Sequence, residues 1–179
     1  ETRTETGTVT EAETQTETET ETVTAAQSGT ETKSSIDCRN CDLSESNLRG
    51  ITLWYSDLRG ANLKYANLES ADLSYSDLRN ADLSFANLSH ANLTRAQLNG
   101  ALLTGANLSR AIMNRVTMKK AHLDKAKLTE SVCLDADLEG STFNFGDLKG
   151  AVMVGANLHY ANLVAANLSG AILMDANLN

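Results

Sequence analysis

The sequence predicts an all-β solenoid, a chain that turns every five residues and keeps leucine and alanine inside. The first observation is the unit itself: Ala61-Asn62-Leu63-Lys64-Tyr65, then Ala66-Asn67-Leu68-Glu69-Ser70, then Ala71-Asp72-Leu73-Ser74-Tyr75. The second is that its register never slips. From Leu43 to Leu178 there are (178−43)/5+1 = 28 units, and 23 of their central residues are Leu; the others are Met113, Met118, Cys133, Phe143 and Met153. Two positions before the centre, 24 of 28 residues are Ala or Ser. The third is that no ordinary element accommodates this period.

A helix advances about 100° per residue, so leucines five apart would spread around its axis. In a flat strand an odd period sends successive leucines to opposite faces. A chain that bends equally in every unit keeps them all inside. Ala and Leu are two apart and both point inward where the unit is extended, while the Asn or Asp between them points outward. The two variable residues make the corner. With corners of about 90°, four units close one coil of about 20 residues, at the lower edge of solenoid repeat lengths.

Tandem Ala-Asn/Asp-Leu-X-X resembles the pentapeptide repeat family, over roughly 138 of the 179 residues. The resemblance implies a right-handed, four-sided (quadrilateral) β-helix. The 28 units then make 28/4 = 7 coils, a rod about 34 Å long at ~4.8 Å per stacked backbone.

Composition divides the chain in two. Residues 1–35 are Thr/Glu-rich, with eight acids and two bases, and too few apolar residues for a core; they read as a disordered acidic tail or linker. Residues 36–179 form the repeat domain, with 15 acids and 13 bases, net −2. No apolar run approaches the ~18 residues of a membrane span. The first residue is Glu1 rather than Met, the mark of a chain processed or excised from something longer.

Cys38 falls on a central position and Cys41 on the next small one, so both point inward. A zinc site is disfavoured, since only Cys133 remains and it lies several coils away. A redox-active pair, a disulfide, and two small buried residues closing the first coil all stay open. Similar cysteine pairs are familiar in cyanobacterial pentapeptide proteins of the lumen or periplasm. The resemblance therefore points to periplasm or thylakoid lumen if the pair is oxidised, and otherwise to the cytoplasm.

Residues 20 apart should stack on neighbouring coils. Tyr55 then lies over Tyr75 and Tyr65 over Phe85. Arg49 meets Glu69, Lys127 meets Asp147, Arg110 meets Glu130 and Arg115 meets Asp135. Arg59 over Arg79 runs against this pattern. Arg110, Arg115, Lys120 and Lys125 end four consecutive units and form a basic belt, with Lys119 and Lys127 beside it. The belt suits an anion, or a solvated ring neutralised by Glu130, Asp135 and Glu139. Pointing in four directions, it cannot present its charges to one duplex, so a nucleic-acid partner is disfavoured.

Nothing in the sequence resembles a catalytic constellation. His90, His122 and His159 fall on outward positions in different columns, and the glycines recur singly at corners. The expectation is a non-enzyme without cofactor or metal. The leading reading is a structural or protein-binding scaffold. The resemblance also implies an alternative, a DNA-mimicking protein that binds gyrase or a related topoisomerase; the near-neutral rod counts against it.

The last pattern is a face. In units centred on 113, 133, 153 and 173 the outward residue before the centre becomes Ile112, Val132, Val152 and Ile172, and after it come Leu134, Val154 and Met174. Trp54, Tyr55 and Tyr75 lie farther along that side. The expectation is an exposed apolar stripe that docks a partner protein or a second copy. Leu178 ends the sequence in register with no cap after it, so the expectation is either a repeat cut short there or an end that meets another in a homo-oligomer.

Overall fold

A computed structural model describes residues 35–179. The tail expected for residues 1–35 therefore lies almost wholly outside the described residues.

Every bridge joins residues 20 apart, in parallel, and each falls on the residue before a unit's centre. Four ladders result. They start at Asp37, Asp42, Asn47 and Thr52 and run to Asn177, Asn162, Asn167 and Ile172. Each unit gives one bridged residue to a ladder and then turns. This is a β-helix built from minimal strands.

The five backbone N–H groups of one unit explain its composition. In Ala61–Tyr65, Ala61 donates to Leu58 O at 3.1 Å across the preceding turn. Asn62 donates to Cys41 O on the preceding coil at 2.8 Å, while Leu63 and Tyr65 donate to Asp82 O and Ser84 O on the following coil at 2.7 and 3.0 Å. The fifth donor, Lys64 N–H, has no backbone partner and goes to Asn62 Oδ1 at 3.3 Å. A short side chain ending in an oxygen, two residues upstream, is what that donor requires; buried backbone donors are almost always paired. Ser74, Ser84 and Ser89 use Asp72, Asp82 and Asn87 in the same way, at 3.0, 2.9 and 3.2 Å.

The corner sets its own demand. From Asn40 to Asp175 every last residue of a unit has φ between 53° and 70°, whether Gly or not. The following N–H closes an i to i+3 hydrogen bond, as from Ala61 to Leu58. Glycine fits this left-handed region without strain, and Gly occupies eight of these corners. At Gly105 it is also a matter of space, because a Cβ there would meet the Phe85 ring at 2.6 Å.

The core is a continuous column of central and small residues, buried from Ile36 to Leu158. Leu163, Leu168 and Leu173 are half-buried, and Leu178 is 56% exposed. Serine enters the small positions by bonding inward. Ser46, Ser76 and Ser141 donate their hydroxyls to Leu43 O, Leu73 O and Leu138 O at 2.5, 2.5 and 2.6 Å.

Candidate docking face

The Thr52 ladder carries the apolar side. Ile112 pairs with Val132, Val132 with Val152, and Val152 with Ile172, an unbroken row of four β-branched residues. Leu134, Val154 and Met174 stand beside it at the first turn position. Ile112, Leu134, Ile172 and Met174 are exposed, Met174 most at 62%. Val132 and Val152, expected at the centre of the exposed stripe, are half-buried, and so is Val154. Each valine sits between ladder neighbours 20 residues away on both sides, which shield its flanks.

Charges border this row. The Glu130 side chain leans over Gly150 and that of Asp135 over Gly155, where a glycine Cβ would lie 3.6 Å from Glu130 Cγ and 2.6 Å from Asp135 Oδ1. Arg110 pairs with Glu130 at 2.9 Å and Arg115 with Asp135 at 3.5 Å. Two of the four belt residues are thus neutralised by the next coil, and Lys119 reaches Asp137 and Glu139, both at 3.0 Å. Lys120 and Lys125 make no ion pair among the described residues.

Farther along this side, Tyr55 and Tyr75 stack at 4.7 Å and 8°, Trp54 meets Tyr55 edge-on at 5.4 Å, and Arg95 caps the Tyr75 ring at 5.7 Å. Tyr65 and Phe85 stack at 5.3 Å on another corner. Asp72, Ser74, Asn92 and Thr94 separate the aromatic row from the aliphatic one.

Other charged columns differ in detail from the sequence expectation. Arg49 meets Glu69 at 3.1 Å. Lys127 and Asp147 are bridge partners but form no ion pair; Asp147 instead accepts from Thr129 Oγ1 and Asn167 Nδ2 at 3.3 and 2.9 Å. The stacked arginines are not in conflict. Arg59 binds Asp57 of its own unit through Nε and Nη2 at 2.8 and 2.6 Å, and its Nε lies 3.7 Å from Asp77 of the next coil. Arg39 and Arg79 grip Asp37 and Asp77 likewise. These hydrogen bonds hold the Asp57 carboxyl below the usual carboxylate range. Charge alternates along the ladder, and a column read only at 20-residue spacing misses the partner two residues away.

Cys38 and Cys41 face inward, both buried, with Cα atoms 5.3 Å apart and their sulfurs placed as a disulfide. Cys133 is free and buried, and that burial pushes its thiol up to about 11. Among the described residues no three His, Cys, Asp or Glu side chains gather as a metal site, and no helix is long and apolar enough to cross a membrane.

The family profile described as "Pentapeptide repeats" matches in eight copies, over residues 41–80, 81–119, 91–129, 118–153 and 151–179. The chain belongs to the pentapeptide repeat family. Among solved structures of that family it is similar to HetL, involved in heterocyst differentiation regulation in the cyanobacterium Nostoc sp. The identity is 30%, over 79% of this chain and 78% of that one, with a TM-score of 0.40. It is also similar to alr5209 from Nostoc, at 35% identity over 66% and 78% of the two chains, with a TM-score of 0.30. A third similar structure is trypsin-treated QnrB1, a plasmid-mediated fluoroquinolone resistance protein, at 19% identity over 78% and 71%, with a TM-score of 0.48. No curated protein matches the chain.

Proposed function

We propose that this pentapeptide repeat protein is a non-catalytic scaffold that docks a protein through the Ile112–Ile172 face. The observation that carries the reading is the unbroken Ile112–Val132–Val152–Ile172 ladder flanked by Leu134, Val154 and Met174. β-Branched residues suit any ladder, but Leu134 and Met174 stand at turn positions, where ladder propensity gives them no role. Apolar patches of a few hundred Å² on a soluble rod mark interaction sites. The reading takes the coil as right-handed, with about seven turns from its 28 units. The Cys38–Cys41 pair supports an oxidising compartment, periplasm or thylakoid lumen.

The double change Val132→Glu plus Val152→Lys tests it without altering net charge. The fold should persist, because both side chains point away from the core. Self-association in sedimentation, or capture of a partner protein, should be lost. If both are unchanged while the circular dichroism spectrum persists, the face does not dock.

A DNA-mimicking role is disfavoured by charge. Asp37, Asp57 and Asp77 form an acidic ladder, yet each is gripped by the arginine of its own unit. No inhibition or protection in a gyrase supercoiling assay at micromolar protein would remove that alternative.

A further inference from the structure

Of the asparagines in the chain only Asn99 is followed by glycine. That pair has a chemistry of its own. With no Cβ on Gly100 to shield it, the Gly100 nitrogen can attack Asn99 Cγ, expel ammonia and close a five-membered succinimide. Water then opens either carbonyl of the ring, leaving aspartate or isoaspartate. Water is the only co-reactant, and nothing is oxidised or reduced.

The fold requires both residues of the pair. Thr117 supplies no acceptor for Lys119 N–H, so Asn99 Oδ1 takes it at 2.9 Å. Gly100 has φ 70°, and a Cβ there would lie 2.6 Å from Asn80 Oδ1. The same contacts restrain the reacting groups. Lys119 N–H anchors Asn99 Oδ1 to the following coil, and Gly100 N–H is spent on Lys119 O at 2.9 Å. Ala101 N–H closes the turn on Leu98 O at 3.0 Å, which fixes the backbone between them. A single residue of the next coil thus holds the amide with its N–H and the nucleophilic nitrogen with its carbonyl.

We propose that Asn99 is a self-modification site, closed while Lys119 is stacked on it and opened when the two coils part. Local opening needs far less than unfolding of the whole rod. Asn99 and Gly100 are only half-buried, so water reaches them as soon as it happens. The two products differ in consequence. Asn99 lies in its column between Arg79 and Lys119, 20 residues away on either side. An aspartate there keeps an oxygen for Lys119 N–H and sets its charge between two cations. Isoaspartate lengthens the main chain by one carbon, so the Gly100 and Ala101 hydrogen bonds no longer fit the corner together.

The test incubates the whole protein at mildly alkaline pH, folded and in denaturing urea. Conversion at Asn99 is read by mass spectrometry and isoaspartate by enzymatic methylation. A third sample is folded Thr117→Asn, which offers Lys119 N–H the ordinary acceptor two residues upstream and frees the Asn99 side chain without touching the Asn-Gly pair. Asn99 should convert in urea and at least about ten-fold more slowly in the folded protein. Thr117→Asn, folded by circular dichroism, should fall between the two. After removal of urea, limited proteolysis should cut molecules carrying isoaspartate at this corner and spare those carrying aspartate. No conversion in urea overturns the site, and equal rates folded and in urea overturn its closure by the fold. Equal folded rates with and without Thr117→Asn overturn the hold assigned to Lys119 N–H. Equal cleavage of the two products overturns the difference between them.

Discussion

Leu134 donates its backbone N–H to Asn114 Oδ1 on the preceding coil, at 3.2 Å. In an ordinary unit that donor is taken by the Asn or Asp two residues upstream, but here that residue is Val132. The same borrowing of an acceptor from the preceding coil occurs twice more. Thr117 leaves Lys119 N–H to Asn99 Oδ1 at 2.9 Å, and Thr142 leaves Asn144 N–H to Asp124 Oδ1 at 2.9 Å. Asn114→Ala should therefore cost roughly 0.5–1 kcal/mol, the net worth of one solvent-accessible hydrogen bond. The contrasting case is Asn144. Its Oδ1 is buried without a partner, since the donor above it, Val164 N–H, already goes to Asn162 at 3.1 Å. Asn144→Ala should be close to neutral. Urea denaturation of the two variants checks the contrast, and equal losses would refute it.

Corner residues should respond to glycine in opposite senses. Ser70 sits at φ 59° with no side-chain hydrogen bond, so Ser70→Gly relieves left-handed strain and should raise stability by roughly 0.5–1 kcal/mol. Gly105→Ala adds that strain and also drives a methyl into the Phe85 ring. It should lower stability by at least about 1 kcal/mol. Thermal midpoints of the two single variants give the signs directly.

Much of this was legible because every interior slot is alike. A strict period of five fixes which residues face inward, and the 20-residue spacing that follows puts Tyr55 on Tyr75 and Arg110 on Glu130. The roles of Asn99, Asn114 and Asp124 were missed. Each compensates for what is absent 18 residues later, at Thr117, Val132 and Thr142, which acquires meaning only once the donors of a unit are counted. The arginine ladder was misread for a related reason. A 20-residue spacing shows only neighbours on other coils, while the grip of Arg59 on Asp57 acts within one unit. The apolar face was visible as a pattern, but the shielding of Val132 and Val152 by their ladder neighbours depends on coordinates.

Acid should weaken the Asp37 ladder. The Asp57 carboxyl is held low by its Arg59 hydrogen bonds. A depressed folded value means the stabilisation is complete above the unfolded value, near 3.9, and is lost as pH falls through the folded one. The thermal midpoint should therefore decline below about pH 4. Asp57→Asn keeps an oxygen for Arg59 N–H but removes the titrating charge, so it should lower the midpoint at pH 7 and flatten the acid decline. An unchanged acid slope would show that other carboxylates carry it.

Overpacking tests the inward assignment of the small column. Ala101 is fully buried between Leu98 and Leu103, and its carbonyl accepts His122 N–H at 3.0 Å. Ala101→Leu forces extra carbons into a filled interior and should cost about 1–3 kcal/mol. Ile51 and Val116 occupy equivalent slots while buried, so the column tolerates bulk where its neighbours are arranged for it. A neutral Ala101→Leu in urea denaturation would mean that slack is general.

The three cysteines should separate cleanly by reactivity. Cys38 and Cys41 are paired in the structure, and Cys133 is buried with its thiol pushed up to about 11, so little thiolate exists at neutral pH. Native protein treated with iodoacetamide should gain no label by mass spectrometry. After reduction without unfolding it should gain two, at Cys38 and Cys41, because opening a bond at the first coil leaves the column around Cys133 intact. Three labels should appear only in denaturant with reductant. The ring closed by this bond is short, so the double change Cys38→Ser plus Cys41→Ser should cost only about 2 kcal/mol by the chain-entropy relation. Two labels on unreduced native protein would show the pair to be free thiols, and the case for an oxidising compartment would go with it.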